Sequence, residues 1–471
     1  MQRTAVIFGL AASSLVGALL LVPRTTTQPA VAMPTPPPSS ASITQLIYGD
    51  GVLEVRATLD RSHLATASSE PVWVDVAVRA SGVQQRAPLA AALVIDRSGS
   101  MAGDKIDAAR LAAERFINGL ADGDMLALVS YGSDVSVDLP FVVVDGATRR
   151  QALGIVRNIE EGGGTNIDGG LRAAEAQLKA ANVAGHVARV ILVSDGRPTE
   201  GDRRSETLAG HARDLRGAGF TTSTIGLGLD YNEDLMEQLA VVGGGRYHYL
   251  KTGAQMAKIL DDELQHGRNV VASNVHLHLD TALAPGLRAV EATGYEPQGR
   301  GSRLVVDIGD LAAGEERHVL VKVAVDAVPG EGGVGFAAPE LTYKRAGDRA
   351  DHLVADRADA FRMLPTTDLA VLNGGRNDDV RARVLQVEAS VALTQSMQAY
   401  ASGDAEKAKK DIDRARTELK ATAARTGNQL LLREAQNLDA VYDNVASGPA
   451  SSAAGLDMVK AQKARAFDLR R

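Results

Sequence analysis

Hydrophobic and polar positions follow two different periods along this chain. From Ile43 to Val83, and again after His266, apolar residues alternate with polar ones in short runs such as "VLEVRATL" and "SRLVVDIG". Between about Ala87 and Gly267, continuous apolar runs such as "AALVID" and "ARVILVSD" alternate with longer segments of helical periodicity. The first pattern predicts strands with one buried face, and the second predicts a mostly parallel sheet covered by helices on both sides.

These patterns predict an α/β protein with a doubly wound, mostly parallel sheet and additional β-structure. Residues 87–267 are predicted to form the α/β domain. The strand-rich residues 43–86 and 268–364 are predicted to form a β-sandwich, into which the α/β domain is inserted. Two separate small β units that flank the α/β domain are the alternative.

Residues 365–471 are predicted to be helical. Val380, Val384 and Val387 recur at helical spacing, and "SGD" then supplies a stop and a new N-cap before a second apolar stripe that includes Ile412. Two such stripes indicate a helical hairpin. A further helical segment is predicted near Met458 to Leu469.

The N-terminal segment predicts export from the cytoplasm. After Arg3, residues 5–22 form an almost continuous apolar run, which Pro23 and Arg24 close. Residues 1–32 form either a signal peptide that is cleaved at "AVA" or a membrane anchor, since the run is just long enough to span a bilayer. Residues 33–42 form a proline-rich linker. Both interpretations place the rest of the chain in the periplasm, outside the cell, or anchored on the outer side of the inner membrane.

Composition and missing motifs narrow the function classes. The 471 residues include no cysteine and carry a net charge of −7, which excludes disulfides and thiolate chemistry and leaves no basic stripe for nucleic acid. The chain lacks GxxxxGK[ST], HExxH and GxSxG motifs, so we expect a protein that is not an enzyme. Its Ala/Gly/Arg-rich composition and its export segment favour a bacterial origin.

Three separated segments carry the candidate chemistry. "LVIDRSGSM" places Asp96 at a strand end and follows it with Ser98 and Ser100, "EGGGTNIDGG" places Thr165 after three glycines, and "VILVSDGRPTEG" places Asp195 at the end of another buried strand. The carboxyl ends of parallel strands meet at one edge of a sheet, so we expect these five side chains to meet there. Hydroxyl and carboxylate oxygens are ligands that suit Mg²⁺.

At these residues the chain strongly resembles the von Willebrand factor A (VWA) domain family, over about 180 residues from Ala87 to His266. The resemblance implies a metal-ion-dependent adhesion site, in which Ser98, Ser100 and Thr165 bind Mg²⁺, or alternatively Mn²⁺ or Ca²⁺. Asp96 and Asp195 are then expected to act largely through water or hydrogen bonds. It also implies a protein partner whose Asp or Glu carboxylate completes the coordination shell.

Other interpretations of these residues remain open at this point. Ser98 and Ser100 fit an ordinary capped turn, and Asp104, Asp107 and Asp168 could form an accessory cation site. At the level of function, the alternative is a structural envelope component that binds through its β-sandwich or helical tail, with the metal merely stiffening the loops. An enzyme is a third and weaker hypothesis.

Overall fold

The computed structural model describes residues 41–66, 70–81, 87–280, 286–298, 303–326, 333–348, 350–356 and 360–470. The predicted signal peptide or anchor and nearly all of the proline-rich linker lie outside the described residues. Within the described ranges, no helix combines the length and apolar character that a membrane span requires.

The strands and helices are numbered in chain order. The strands are β1 (Gln45–Gly49), β2 (Leu53–Leu59), β3 (His63–Ala65), β4 (Val72–Ala80), β5 (Leu89–Asp96), β6 (Met125–Tyr131), β7 (Val135–Val143), β8 (Val187–Ser194), β9 (Thr221–Leu227), β10 (Gly244–Leu250), β11 (Val270–Asp280), β12 (Leu287–Thr293), β13 (Arg303–Ala312), β14 (Glu316–Val325), β15 (Val334–Ala337), β16 (Glu340–Arg345), β17 (Asp351–Val354) and β18 (Ala360–Thr366). The helices are α1 (Asp104–Gly119), α2 (Gly146–Arg157), α3 (Ile167–Ala180), α4 (Ser205–Gly217), α5 (Glu233–Val242), α6 (Met256–Asn269), α7 (Leu369–Gly374), α8 (Asp378–Ala401), α9 (Ala405–Thr426), α10 (Gln429–Ser447) and α11 (Ala453–Arg470).

The α/β domain is built on a sheet with the strand order β10-β9-β8-β5-β6-β7. All neighbouring strands are parallel except β7, which pairs antiparallel with β6 at the sheet edge. Every residue of β5 and β8 is buried, because separate apolar clusters cover the two faces of the sheet. The first strand, β5, lies between β6 and β8, so the strand order reverses between β5 and β8. The predicted α/β fold is therefore confirmed.

The remaining strands form three further sheets that share one core, and their strands pair antiparallel except β18 and β3, which are parallel. One sheet has the order β1-β2-β4-β14-β12 and another has the order β13-β11-β16-β17, while β15, β18 and β3 form a third, smaller sheet. Val76, Leu277, Val321 and Phe336 come from different strands and belong to the same buried cluster. Because β4 precedes the α/β domain and its partner β14 follows it, the α/β domain is inserted in the β-structure, as the strand patterns predicted.

Buried ion pairs lie close to the junction of the two parts. Arg189 on β8 pairs with Glu263 on α6 at 2.9 Å, and both side chains are almost completely buried. Arg216 at the end of α4 pairs with Asp307 on β13, which joins the α/β domain directly to the β-sandwich. Removing one member of either pair would leave an unpaired buried charge, and the Arg216–Asp307 pair therefore helps to fix how the two parts meet.

The C-terminal region contains four long helices, α8 to α11, where the sequence pattern predicted a hairpin and one further segment. The helix that was missed is α10. Asn428 caps it by accepting hydrogen bonds from the N–H groups of Leu430 and Leu431, and Leu431, Ala435, Leu438 and Val445 line its buried face. A stripe at this spacing is itself a helix signal, and the hairpin prediction is corrected accordingly.

The last helix, α11, packs on the α/β domain. Its Phe467 belongs to the apolar cluster on one face of the parallel sheet and makes an edge-to-face contact with Tyr247 of β10, at a ring distance of 6.0 Å. Lys460 and Lys463, which are 3% and 1% exposed, form ion pairs with Glu233 at the start of α5. The C-terminal helices are therefore integral to the same body as the α/β domain.

We expect the substitution Phe467→Ala to lower the free energy of unfolding by about 3 kcal/mol, because it removes a buried aromatic ring and leaves a cavity. Urea unfolding followed by circular dichroism measures this change. Leu369→Ala is the control, since Leu369 is 74% exposed and its truncation should change stability by less than about 0.5 kcal/mol. Equal stability of the two variants would show that α11 does not contribute to the core of the α/β domain.

Candidate functional site

The point at which the strand order reverses brings two buried carboxylates together. Asp96 is the last residue of β5, and Asp195 directly follows β8, the strand next to it. Both residues have 0% solvent exposure. Two like charges so close together, without water, require specific compensation from their neighbours.

Hydrogen bonds to both oxygens hold Asp96 in place. The backbone N–H of Ser98 donates to Oδ1 at 2.8 Å, and the hydroxyl of Ser194 donates to Oδ2 at 2.8 Å. Burial nevertheless raises the pKa of the Asp96 carboxyl to about 6, and the Asp195 carboxylate acts in the same direction. The site therefore favours any group that brings positive charge to this carboxyl.

The two serines connect Asp96 to Asp195. The Oγ atoms of Ser98 and Ser100 are 3.0 Å apart, and Ser100 Oγ donates to Asp195 Oδ1 at 2.7 Å. Ser98 is 1% exposed, whereas Ser100 lies at the surface in a short 3-10 turn. Asp96, Ser98, Ser100 and Asp195 thus form one continuous set of oxygen atoms.

The glycine-rich loop between α2 and α3 adds Thr165 to this set. The carbonyl of Gly163 accepts from the N–H of Gly99 at 3.0 Å, which ties this loop to the serine-bearing loop. Gly163 has a φ of 79°, and a side chain there would collide with Ser133, so the close approach requires glycine. A Cβ placed on Gly196 would lie 3.3 Å from Thr165 Oγ1 and 3.5 Å from Ser100 Oγ, so these two hydroxyls face the same gap.

The structure therefore brings together all five residues that the sequence singled out: Asp96, Ser98, Ser100, Thr165 and Asp195. Their assignment as metal ligands stays a prediction. Among the described residues, no group of three or more His, Asp or Glu side chains is arranged to hold a metal ion. The oxygen donors gathered here are two carboxylates and three hydroxyls.

A sixth residue, Lys105, belongs to this site and was missed by the sequence analysis. Its Nζ lies 2.5 Å from Asp195 Oδ2, and its side chain is 29% exposed. A lysine in the first turn of an amphipathic helix is usually a solvated surface residue. Its partner lies 90 positions away, so no local sequence signal identifies the contact.

The accessory cation site considered from the sequence is wrong, because other partners engage its members. Asp107 pairs with Arg110 at 2.7 Å, and Asp168 contacts His211 at 3.0 Å and Arg172 at 3.2 Å. A cavity of about 1280 Å³ includes Val187 at the start of β8 in its lining and lies toward the opposite end of that strand from Asp195.

Comparison with known proteins identifies the α/β part of the chain. Residues 92–262 match the family model of the von Willebrand factor type A domain. The mostly parallel six-stranded sheet with helices on both faces agrees with that match. The chain therefore contains a VWA domain, set within additional antiparallel sheets and C-terminal helices.

Curated relatives share this part at low identity. An uncharacterized protein from Synechocystis, sll0103, is 27% identical over 305 residues, which cover 62% of this chain and 70% of the relative. The uncharacterized Escherichia coli protein YfbK is 27% identical over 50% of this chain and 41% of the relative. Human inter-alpha-trypsin inhibitor heavy chain H4 is 28% identical over 39% of this chain, and the chain spans only 20% of its length.

Solved structures extend the likeness in fold. A von Willebrand factor type A structure from Catenulispora acidiphila has a TM-score of 0.65 at 19% identity and covers 83% of this chain and 88% of its own. The ArnB paralog VWA2 from Sulfolobus acidocaldarius has a TM-score of 0.57 at 18% identity and covers 87% of this chain and 97% of its own. These matches extend well beyond residues 92–262, so the shared fold includes elements that flank the VWA domain.

We expect Ser194→Ala to lower the free energy of unfolding at pH 8 by about 2 kcal/mol, because a buried carboxylate oxygen loses its hydroxyl donor. Urea unfolding measures the change. Ser447→Ala is the matched control, since that hydroxyl bonds a carbonyl near the exposed end of α10. If Ser194→Ala is as stable as the control, the hydroxyl does not hold Asp96.

Proposed function

We propose that this protein is an exported binding protein whose VWA domain holds a divalent cation and uses it to capture a carboxylate of a protein partner. The proposed ligand set is Ser98, Ser100 and Thr165, with Asp96 and Asp195 acting through water or hydrogen bonds. Mg²⁺ is the proposed ion, with Mn²⁺ and Ca²⁺ as alternatives. A bound cation supplies a positive centre with a coordination position that a partner's carboxylate can fill.

The observation that carries the proposal is the convergence of hydroxyl oxygens from two loops beside the third loop, which carries Asp195. Ser100 Oγ and Thr165 Oγ1 both face the gap beside Gly196, and Ser98 Oγ lies 3.0 Å from Ser100 Oγ. Such hard neutral donors suit Mg²⁺, which keeps several water ligands and does not need a cage of protein carboxylates. The residues present therefore fit a divalent cation.

The charges at the site also agree with capture of an anion. Asp96 and Asp195 contribute two negative charges when ionised, and the ammonium of Lys105 contributes one positive charge. A dication added to this set makes the local sum positive, so an incoming carboxylate is attracted.

A partner side chain has room beside these loops. A cavity of about 790 Å³ is lined by residues that include Arg97, Ser136, Asp138 and Glu160. Arg97 lies between Asp96 and Ser98 in the chain, and Glu160 precedes the glycines before Thr165, so two lining residues belong to the loops that carry the proposed ligands.

Binding, and not bond cleavage, is the activity that we propose. The Ser98 and Ser100 hydroxyls contact each other, Ser98 contacts Asp96, and Ser100 contacts Asp195. The described histidines near the domain, such as His211 and His248, pair with carboxylates elsewhere. The site thus resembles an oxygen-donor cradle more than an activated nucleophile.

The location outside the cytoplasm is part of the proposal and relies on the N-terminal sequence. Deletion of residues 366–471 is a poor test of whether partners bind at the proposed site or at the helical tail. Because α11 packs on the VWA domain, the deletion would disturb both. Variants at the proposed site itself are the sharper test.

We expect a matrix carrying the purified protein to retain partners from an envelope extract in Mg²⁺ and to lose them in EDTA. Gly196→Val should abolish the Mg²⁺-dependent capture, since its side chain fills the gap between Ser100 and Thr165. Gly210→Val is the matched control, because a side chain at Gly210 meets nothing within 4 Å. Amidation of carboxylates in the extract should also abolish capture, as measured by mass spectrometry of the eluates. Capture that persists in EDTA and in Gly196→Val would contradict the proposal.

A further inference from the structure

We infer that Lys105 is a tethered counter-ion that competes with the divalent cation for Asp195 and so lowers the affinity of the site for that cation. The inference rests on the cation site proposed above. It assigns a role to a residue outside the ligand set and concerns how readily the site fills.

The geometry places the ammonium at the edge of the oxygen cluster. Lys105 Nζ contacts Asp195 Oδ2, while the other oxygen of the same carboxylate accepts from Ser100. On its far side, a Cβ placed on Gly228 would lie 3.5 Å from both Cε and Nζ of Lys105. The lysine therefore extends from α1 between Asp195 and the loop that follows β9.

A cation in this place is not expected from the helix itself. Lys105 is the second residue of α1, and the N-terminus of a helix carries partial positive charge that disfavours lysine there. Helix starts favour acidic residues, and Asp104 and Asp107 follow that rule on the same turn. The ammonium is held instead by a carboxylate with 0% exposure, which makes its contact with Asp195 specific.

A divalent cation and the Lys105 ammonium are both attracted by the Asp195 carboxylate. A divalent ion held by Ser98, Ser100 and Thr165 would share Asp195 with Lys105, and the two positive charges repel each other. A bound cation therefore either displaces the ammonium from Asp195 or is repelled by it. In both cases Lys105 weakens cation binding.

The same contact stabilises the protein without a divalent cation. Asp195 is fully buried, and the ammonium neutralises it. If the lysine is replaced by a neutral residue, the cation has to supply that neutralisation. Bound cation should then raise the melting temperature of the variant more than that of the wild type.

The test compares Mn²⁺ affinity among purified full-length variants, with free Mn²⁺ measured by electron paramagnetic resonance. Lys105→Gln removes the charge and keeps a hydrogen-bond donor, and Lys105→Ala is a second neutral variant. Lys105→Arg keeps the charge. Arg197→Gln is the matched control, since it removes one positive charge from an exposed side chain two residues after Asp195 in the chain.

We expect Lys105→Gln to bind Mn²⁺ about tenfold more tightly than the wild type, since a change of this size corresponds to roughly one pKa unit of electrostatic interaction. Lys105→Arg and Arg197→Gln should stay close to the wild type. In Lys105→Gln the melting temperature without divalent cation should fall by about 2 °C, and Mg²⁺ should restore it.

Equal or weaker Mn²⁺ binding by both neutral variants would overturn the inference and leave the proposed cation site standing. If the wild type binds no Mn²⁺ but a neutral variant does, the role of Lys105 is supported, and cation capture by the native site is contradicted. If neither binds, both proposals fail.

Discussion

Two aspartates without solvent exposure, at the ends of adjacent parallel strands, set the constraint on which the site depends. Asp96 and Asp195 carry like charges into a place where water does not screen them. The surrounding groups stabilise both carboxylates. Ser194 Oγ and the Ser98 backbone N–H donate hydrogen bonds to Asp96, while Ser100 and Lys105 donate to Asp195. An isolated buried carboxylate pair would be costly, so the arrangement makes sense where positive charge is supplied, by the tethered ammonium or by a cation.

The architecture keeps this edge of the sheet fixed from several directions. Insertion between β4 and β11 anchors both ends of the VWA domain in the β-sandwich, and the Arg216–Asp307 pair joins the two parts away from the site. The C-terminal helix α11 holds the start of α5 through Lys460 and Lys463. The proposed binding loops therefore project from a scaffold that is braced by the rest of the chain, which is the arrangement that precise positioning of side chains requires.

The sequence predicted the features that depend on local pattern. The α/β sheet, the insertion and the meeting of Asp96, Thr165 and Asp195 follow from strand ends and glycine-rich turns that are visible in short stretches. Features that depend on long-range contacts are not visible in the sequence pattern. Lys105 finds a partner 90 residues away.

The buried face of α11 also cannot be predicted from its residue composition. Lys460 and Lys463 are polar residues on a buried face, so hydrophobic periodicity assigns that face to solvent. By contrast, the buried face of α10 is an apolar stripe that the sequence pattern itself contains. Burial of charged side chains against acidic partners cannot be inferred until the fold brings those partners together.

The most direct test of the account is anomalous diffraction from crystals of the protein soaked in Mn²⁺. The account predicts a peak at about 2 Å from the hydroxyl oxygens of Ser98, Ser100 and Thr165, within the gap beside Gly196. Crystals that bind Mn²⁺ elsewhere, or that show no peak at this gap at saturating Mn²⁺, would contradict it.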